Sequence, residues 1–211
     1  MDKLDLKKQY KELYKPTARK VALVDVPEFN FIMVDGTIPA NTEVGDAPDY
    51  INGLEALFSL AYTIKFMSKL HKDNPIDYTV MPSEGQWWTD KKFESFKITH
   101  DDPWYFRAMI MQPEHITKAM FEEAKEQIRE KKNPVMLDQV RFEPFHEGLC
   151  VQIMHLGPYS EEPATLEKME AFMEENGYVS NGLHHEIYLS DPRRAKPENL
   201  KTVLRHPVKK K

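Results

Sequence analysis

Leu183-His184-His185-Glu186-Ile187-Tyr188-Leu189-Ser190-Asp191-Pro192 is the stretch on which the reading of this chain turns. Ile187, Tyr188 and Leu189 favour extended backbone, and Asp191-Pro192 closes the run as a turn. Side chains alternate along a strand. Ile187 and Leu189 therefore share one face, the natural core face. His184, Glu186 and Tyr188 share the other, so an imidazole, a carboxylate and a phenol line one side of a sheet. If that side is covered, Glu186 is a partly desolvated charge, which is costly without a partner. Sites that keep such a charge use it to hold a cation or as a general base. The alternative is an open polar sheet face, which antiparallel sheets commonly carry.

Outward from this run, the chain reads as two similar halves. In the second half, Leu149-Cys150-Val151-Gln152-Ile153-Met154-His155-Leu156-Gly157 is a strand ending at a glycine. Pro158-Tyr159-Ser160 leads into a helix over about residues 161–176, with Leu166, Met169, Phe172 and Met173 at helical spacing and Gly177 as its C′ residue. The strand around Glu186 follows, then a short one, Lys201-Thr202-Val203-Leu204-Arg205. In the first half, Phe29-Asn30-Phe31-Ile32-Met33-Val34-Asp35-Gly36 is a strand, and a loop runs through Pro39 and Gly45. A helix is predicted over about residues 46–70, with Asp46 as N-cap, Asp49 in the first turn, and Tyr50, Leu54, Leu57, Ala61 and Ile64 along one stripe. Tyr78-Thr79-Val80-Met81-Pro82-Ser83-Glu84 reads as strand and turn, and Trp104-Tyr105-Phe106-Arg107-Ala108-Met109-Ile110-Met111 as another strand. Gly36 matches Gly157 as a turn glycine, and Ser83-Glu84 matches Ser190-Asp191. Thr79 and Met81 then take the places of Glu186 and Tyr188.

The expected fold is α+β, a single domain over residues 1–211 built from two βαββ units related by an approximate two-fold. The units cover about residues 20–112 and 138–206. Each carries a helix on one sheet face and buries the other face against its partner. A first helix is expected over about residues 5–14. A linker helix over about residues 114–132 shows Ile116, Met120, Ala124 and Ile128 along a stripe, Phe121 beside it, and a solvated run Glu122-Glu123-Ala124-Lys125-Glu126. Val140-Arg141-Phe142-Glu143-Pro144-Phe145 is a strand entering the second unit.

Composition narrows the function classes. The 211 residues are 41% hydrophobic and 30% charged, with a net charge of -5, so a globular chain with no general basic field for nucleic acid is expected. The tail Lys209-Lys210-Lys211 reads as a frayed, solvated end. The single cysteine, Cys150, forms no disulfide within the chain, and a reducing, cytoplasmic compartment is expected. The N-terminus lacks the apolar core of a signal peptide, and no apolar run reaches the roughly 20 residues of a membrane span. No metal site is expected, since paired cysteines and a His-Glu-x-x-His spacing are both missing. No phosphate loop or dinucleotide fingerprint is present either, so no cofactor is expected.

His155-Leu156-Gly157-Pro158-Tyr159 ahead of a helix, followed by His185-Glu186-Ile187-Tyr188-Leu189-Ser190-Asp191-Pro192, resembles the GyrI-like (gyrase-inhibitor-like) small-molecule-binding domain. That domain is also the effector-binding part of multidrug-sensing transcription activators. The likeness is most specific over residues 149–194, and the repeat extends it to about 21–204. It implies a duplicated βαββ fold with antiparallel sheets around a central ligand groove and helices on the outer faces. It places Glu186 in that groove, against planar aromatic or cationic small molecules. Stand-alone members of similar length are understood to hydrolyse the cyclopropane ring of planar, DNA-alkylating natural products. This chain departs from the activators, because the stretch before Val21 is too short for a helix-turn-helix.

On a hydrolase reading the catalytic candidates are Glu186, as the base for water or its orienter, and Tyr188, as a hydrogen-bonding partner of Glu186 or of the substrate carbonyl. Trp87 and Trp88 follow Gly85 in a turn ahead of Asp90-Lys91-Lys92. Two adjacent tryptophans on extended backbone cannot enter one core together, so at least one faces the groove or its rim. Trp104 and Tyr105 lie on opposite strand faces, and the groove meets either one. Phe58 and Tyr62 close the groove or pack in the core. His155 contacts ligand or Glu186, or serves structure alone. His184 and His185 point to opposite faces, and His184 is the candidate. A hydrolase and a sequestering, non-catalytic drug binder use the same groove, and a partner-binding gyrase inhibitor is a third reading. A monomer or homodimer is expected.

Overall fold

The computed structural model describes residues 3–90 and 102–211, so Lys91 and Lys92 of the tryptophan segment lie outside the described residues. The strands are β1 (Ala22–Ile38), β2 (Glu84–Trp88), β3 (Trp104–Gln112), β4 (Arg141–Leu156), β5 (Tyr178–Ser180), β6 (His184–Tyr188) and β7 (Lys201–Lys210). Their order is β4-β1-β3-β2-β6-β7-β5, and β4 also pairs with β7. That last pairing closes β1, β3, β2, β6, β7 and β4 into an antiparallel barrel. The halves are sealed edge to edge, β1 on β4 and β2 on β6, rather than stacked as two separate sheets. Closure removes the exposed strand edges that two open sheets would leave.

Strand alternation sorts the residues between the inside of the barrel and its helix-covered outside. Met33 lies opposite Met109, Met109 opposite Glu84, Glu84 opposite Ile187, and Ile187 opposite Val203. These side chains face inward, and the apolar ones among them are at most 2% exposed. The next residues along face outward. Helix α3 (Pro48–Lys69) covers Val34 and Phe106, which a side chain at Gly53 would touch. Helix α5 (Glu162–Glu175) covers β4 and β7, where Leu166 and Met169 pack with Val151, Ile153 and Leu204. Helix α4 (Lys118–Lys131), capped by the Thr117 hydroxyl, packs beside α3. The short helices α1 (Leu6–Gln9) and α2 (Lys11–Tyr14) break at Tyr10, where one continuous helix was expected. Among the described residues no helix is long and apolar enough to cross a membrane.

Several expected elements shift. Tyr78 to Pro82 is not a strand: Tyr78 makes one isolated bridge to Leu4, and Pro82 cannot donate to a ladder. The second strand of the first half is Glu84–Trp88, so the tryptophan pair sits in the sheet rather than in a turn. The match of Thr79 with Glu186 therefore fails, and Gly85 is the residue directly opposite Glu186. Gly36 does not end its strand, which continues to Ile38. It is a close-approach position, since an added Cβ would lie 2.5 Å from the Phe106 ring. Gly157 does turn, at φ +127, and Gly177 ends α5 at φ +65. Asp46 is not the cap of α3; Ala47 holds that place, and Asp49 instead accepts from the backbone N–H and hydroxyl of Thr37. The strands expected around residues 140–145 and 149–157 are one, β4, with Gly148 at φ +72 keeping it continuous opposite Val26. Lys209 and Lys210 are not frayed: they extend β7 and pair with β5, a strand the sequence reading missed.

Candidate functional site

On the outside of the barrel β2 and β6 lie between β3, which α3 covers, and β7, which α5 covers, and their outer face is the candidate groove. Glu186 and Tyr188 rise from β6, and Trp87 from β2 beside them. Trp87 Nε1 donates to the Tyr188 hydroxyl at 2.9 Å, and that hydroxyl donates to Glu186 Oε2 at 2.8 Å. His184 Nε2 lies 3.3 Å from Glu186 Oε1. Tyr50 on α3 forms one wall, its ring 5.6 Å from Trp87. Tyr159, in the turn before α5, meets Tyr188 edge-on at 6.0 Å and supplies the other wall. Glu186 is only 6% exposed.

The phenols are held neutral. Burial first, then the charge of Glu186, raises both Tyr188 and Tyr50 above the ordinary phenol range. Burial, then Glu162 and Glu186, pushes Tyr159 up to about 12. Glu162, the first residue of α5, turns inward beside Thr202 and is 6% exposed. Burial, then the neighbouring Glu186, pushes its carboxyl up to about 9. The groove thus holds two carboxyl groups in a ring of neutral phenols and an indole, with Glu162 keeping a proton at neutral pH.

Beneath this floor, inside the barrel, lies a second polar layer. His185 Nδ1 is 2.8 Å from Glu147 Oε1 and its Nε2 is 3.1 Å from Glu84 Oε2. Arg205 Nη1 donates to Glu147 Oε2 at 3.1 Å and Arg205 Nε donates to Gln152 at 3.0 Å. Tyr14 donates to Glu84 Oε1 at 2.7 Å. Burial opposes the charges, but the pairing wins: Glu147 and Glu84 raise His185 to about 9, and His185 and Arg205 lower Glu147 to about 2. This ionic layer ties β2, β4, β6, β7 and α2 together under the groove. It fixes the β2–β6 seam from which Glu186 and Trp87 project.

The structure brings Glu186, Tyr188, Trp87 and His184 together and leaves other candidates apart. Trp88 turns to the opposite face from Trp87 and stacks on Tyr105, 5.9 Å between rings. Trp104 shares the outer face of β3 with Phe106 but sits at the far end of that strand, opposite Ile38. His155 does not reach Glu186. Its Nε2 is 3.1 Å from the Pro158 carbonyl, which only accepts, so that nitrogen carries the proton, and its Nδ1 is 2.9 Å from the Thr165 hydroxyl. It pins the turn that carries Tyr159 to the start of α5. Tyr62 lies half exposed in a cleft of about 570 Å³ between α3 and α4, away from the groove. Phe58 leans on Tyr62 at 6.5 Å and packs against the core. A further cleft of about 680 Å³ opens along α5 and the end of β4, lined by Met154, Leu156 and Lys168, and includes neither groove carboxyl.

Tyr50, Tyr159 and Glu162 were missed as site residues. Tyr50 reads as one of a helical stripe, Tyr159 as part of a turn motif, and an acid in a first helical turn as a solvated dipole partner. The signal for Tyr159 was present in Gly157-Pro158-Tyr159. Nothing in the local sequence marks Glu162 as buried.

A family profile for the GyrI-like small molecule binding domain matches residues 19–209. No curated protein matches the chain. Among solved structures, an uncharacterized conserved protein from Listeria innocua is 41% identical over 98% of this chain and 100% of its own, with a TM-score of 0.87. A protein from Listeria innocua described as a hydrolase is 41% identical with the same coverage and a TM-score of 0.83. The C-terminal domain of EcmrR covers 91% of this chain and 98% of its own at 12% identity, with a TM-score of 0.53, which is a likeness of fold.

Proposed function

The chain belongs to the GyrI-like small molecule binding domain family, and we propose that it hydrolyses the cyclopropane ring of planar, DNA-alkylating small molecules. The observation that carries this reading is Glu186, a carboxylate 6% exposed that accepts from Tyr188, which in turn accepts from the Trp87 indole. The relative described as a hydrolase adds support. In a cyclopropane conjugated to a carbonyl, ring strain supplies much of the driving force. Water's oxygen bonds to the ring methylene, the ring C–C bond breaks, and its electron pair moves to the conjugated oxygen. Glu186 accepts the water's proton, and Trp87, Tyr50 and Tyr159 hold the flat ligand and exclude bulk water. Tyr188 spends its one proton on Glu186 and receives the Trp87 N–H, so it orients the base and has no donor left for the substrate. Such an activity detoxifies the compound.

The repeated strand-helix-strand-strand order, with β1-β3-β2 in one half and β4-β7-β6 in the other, supports a duplicated βαββ origin. The second functional reading is sequestration of a cationic or planar aromatic drug, and the observation favouring it is the same box of rings around a carboxylate. Incubation with a cyclopropane-containing alkylator, followed by mass measurement, separates the two. Addition of one water supports hydrolysis. Unchanged ligand mass with tight binding supports sequestration.

A further inference from the structure

Glu162 occupies a position where an acid ordinarily stays in water. In the first turn of α5 the helix dipole favours its anion. Its side chain instead turns inward and is 6% exposed, with Thr202 of β7 as its hydrogen-bonding neighbour. Its Oε1 makes no hydrogen bond among the described residues. The titratable groups acting around it are Glu186 and Tyr188 of β6 and Tyr159 of the preceding turn; Tyr50 of α3 and His184 of β6 act on Glu186 beyond them. The charge acting on its carboxyl is another carboxylate, and among the described residues no cation is named against it. Burial beside a second carboxyl favours the protonated form of Glu162.

The proposed reaction lacks one part that Tyr188 cannot supply, a proton for the departing electron pair. Building on the hydrolase reading above, we propose that Glu162 is a second catalytic carboxyl, which donates its proton to the conjugated substrate oxygen while Glu186 takes the proton of the attacking water. The step balances. One C–O bond forms at the ring methylene, one C–C bond breaks, and the electron pair ends on an oxygen that gains the Glu162 proton. Glu186 finishes as the acid and Glu162 as the carboxylate. One proton transfer between them restores the starting state. Tyr50 and Tyr159 can hydrogen-bond the same oxygen, but their phenols hold their protons more tightly and transfer them less readily at neutral pH.

The test pairs infrared spectroscopy with single-turnover kinetics on wild type, Glu162→Gln and Glu162→Asp. Wild type is expected to show the carbonyl stretch of a protonated carboxylic acid at neutral pH, absent in Glu162→Gln. Ring opening slows by about 10²-fold or more in Glu162→Gln, while quenching by planar ligands is retained. The wild-type rate falls as pH passes about 9, and that limb disappears in Glu162→Gln. Glu162→Asp, which keeps an acid, recovers part of the rate. Absence of the acid band in wild type overturns the proposal whether or not hydrolysis occurs. An equal rate and the same alkaline limb in Glu162→Gln also overturn it. A wild type that shows the band but adds water to no cyclopropanoid defeats the hydrolase reading itself, and the donor role falls with it.

Discussion

Gly85 stands directly opposite Glu186 in the β2–β6 ladder, so β2 places no side chain across from the carboxylate. A Cβ at Gly85 would lie 2.9 Å from Trp87 Nε1 and 3.0 Å from the Tyr188 hydroxyl. The glycine therefore makes room for the hydrogen bond that orients Tyr188 toward Glu186. Gly85→Ala is expected to push the indole and phenol apart and to weaken both ligand binding and ring opening. The chain should still fold, because Gly85 is extended and needs no unusual φ. Titration of a planar ligand against the variant checks this, and wild-type affinity would show that the close approach is immaterial.

Glu186→Gln keeps the shape and the hydrogen bond from Tyr188 but cannot accept a proton from water. Single-turnover ring opening should slow by about 10²–10⁴-fold. Stability should hold or rise, since a desolvated charge is removed. Undiminished hydrolysis by this variant would exclude Glu186 as the base.

The opposite faces of the two adjacent tryptophans give a paired experiment. Flat polycycles should quench emission from Trp87, which lines the groove, and leave Trp88 unaffected on the other face of β2. Quenching should be largely lost in Trp87→Phe and retained in Trp88→Phe. The reverse pattern would place the ligand elsewhere.

Breaking the ionic layer inside the barrel should be severe. Arg205→Met leaves Glu147 buried without one of its cations, and loss of one partner of such a pair costs about 3–5 kcal/mol. Urea denaturation measures this directly. A loss under about 1 kcal/mol would mean that His185 alone compensates Glu147.

Stability should also fall toward alkaline pH. Folding raises Glu162 from 4.5 to about 9 and His185 from 6.5 to about 9. Across those intervals the folded chain binds more protons than the unfolded one, so its stability declines as pH rises. The two contributions are complete below 4.5 and 6.5 respectively, and are lost as pH passes about 9. Glu147 acts in the opposite sense: lowered from 4.5 to about 2, it contributes above 4.5 and is lost as pH falls through about 2. Urea midpoints measured across pH should drop between 6.5 and 9, less steeply in Glu162→Gln. A flat profile there would contradict the protonated states of both groups.

The amino-acid order alone determined that Glu186 and Tyr188 share a face and that Ile187 lies on the other, because side-chain alternation is local and needs only an extended backbone. It likewise determined α5 with its Gly177 stop. Tertiary structure decided the rest. Ile187, read as a core-face residue, lies inside the barrel, because closure of the sheet turned that face inward. The strand of the first half moved from residues 78–82 to Glu84–Trp88, where the partners β3 and β6 offered a ladder that Pro82 could not complete. Glu162 depended most on tertiary contacts. Nothing within a turn of it in the chain distinguishes it from a solvated helix-start acid, and only the packing of α5 over β4 and β7 sets it near Glu186, where desolvation and like charge hold its proton.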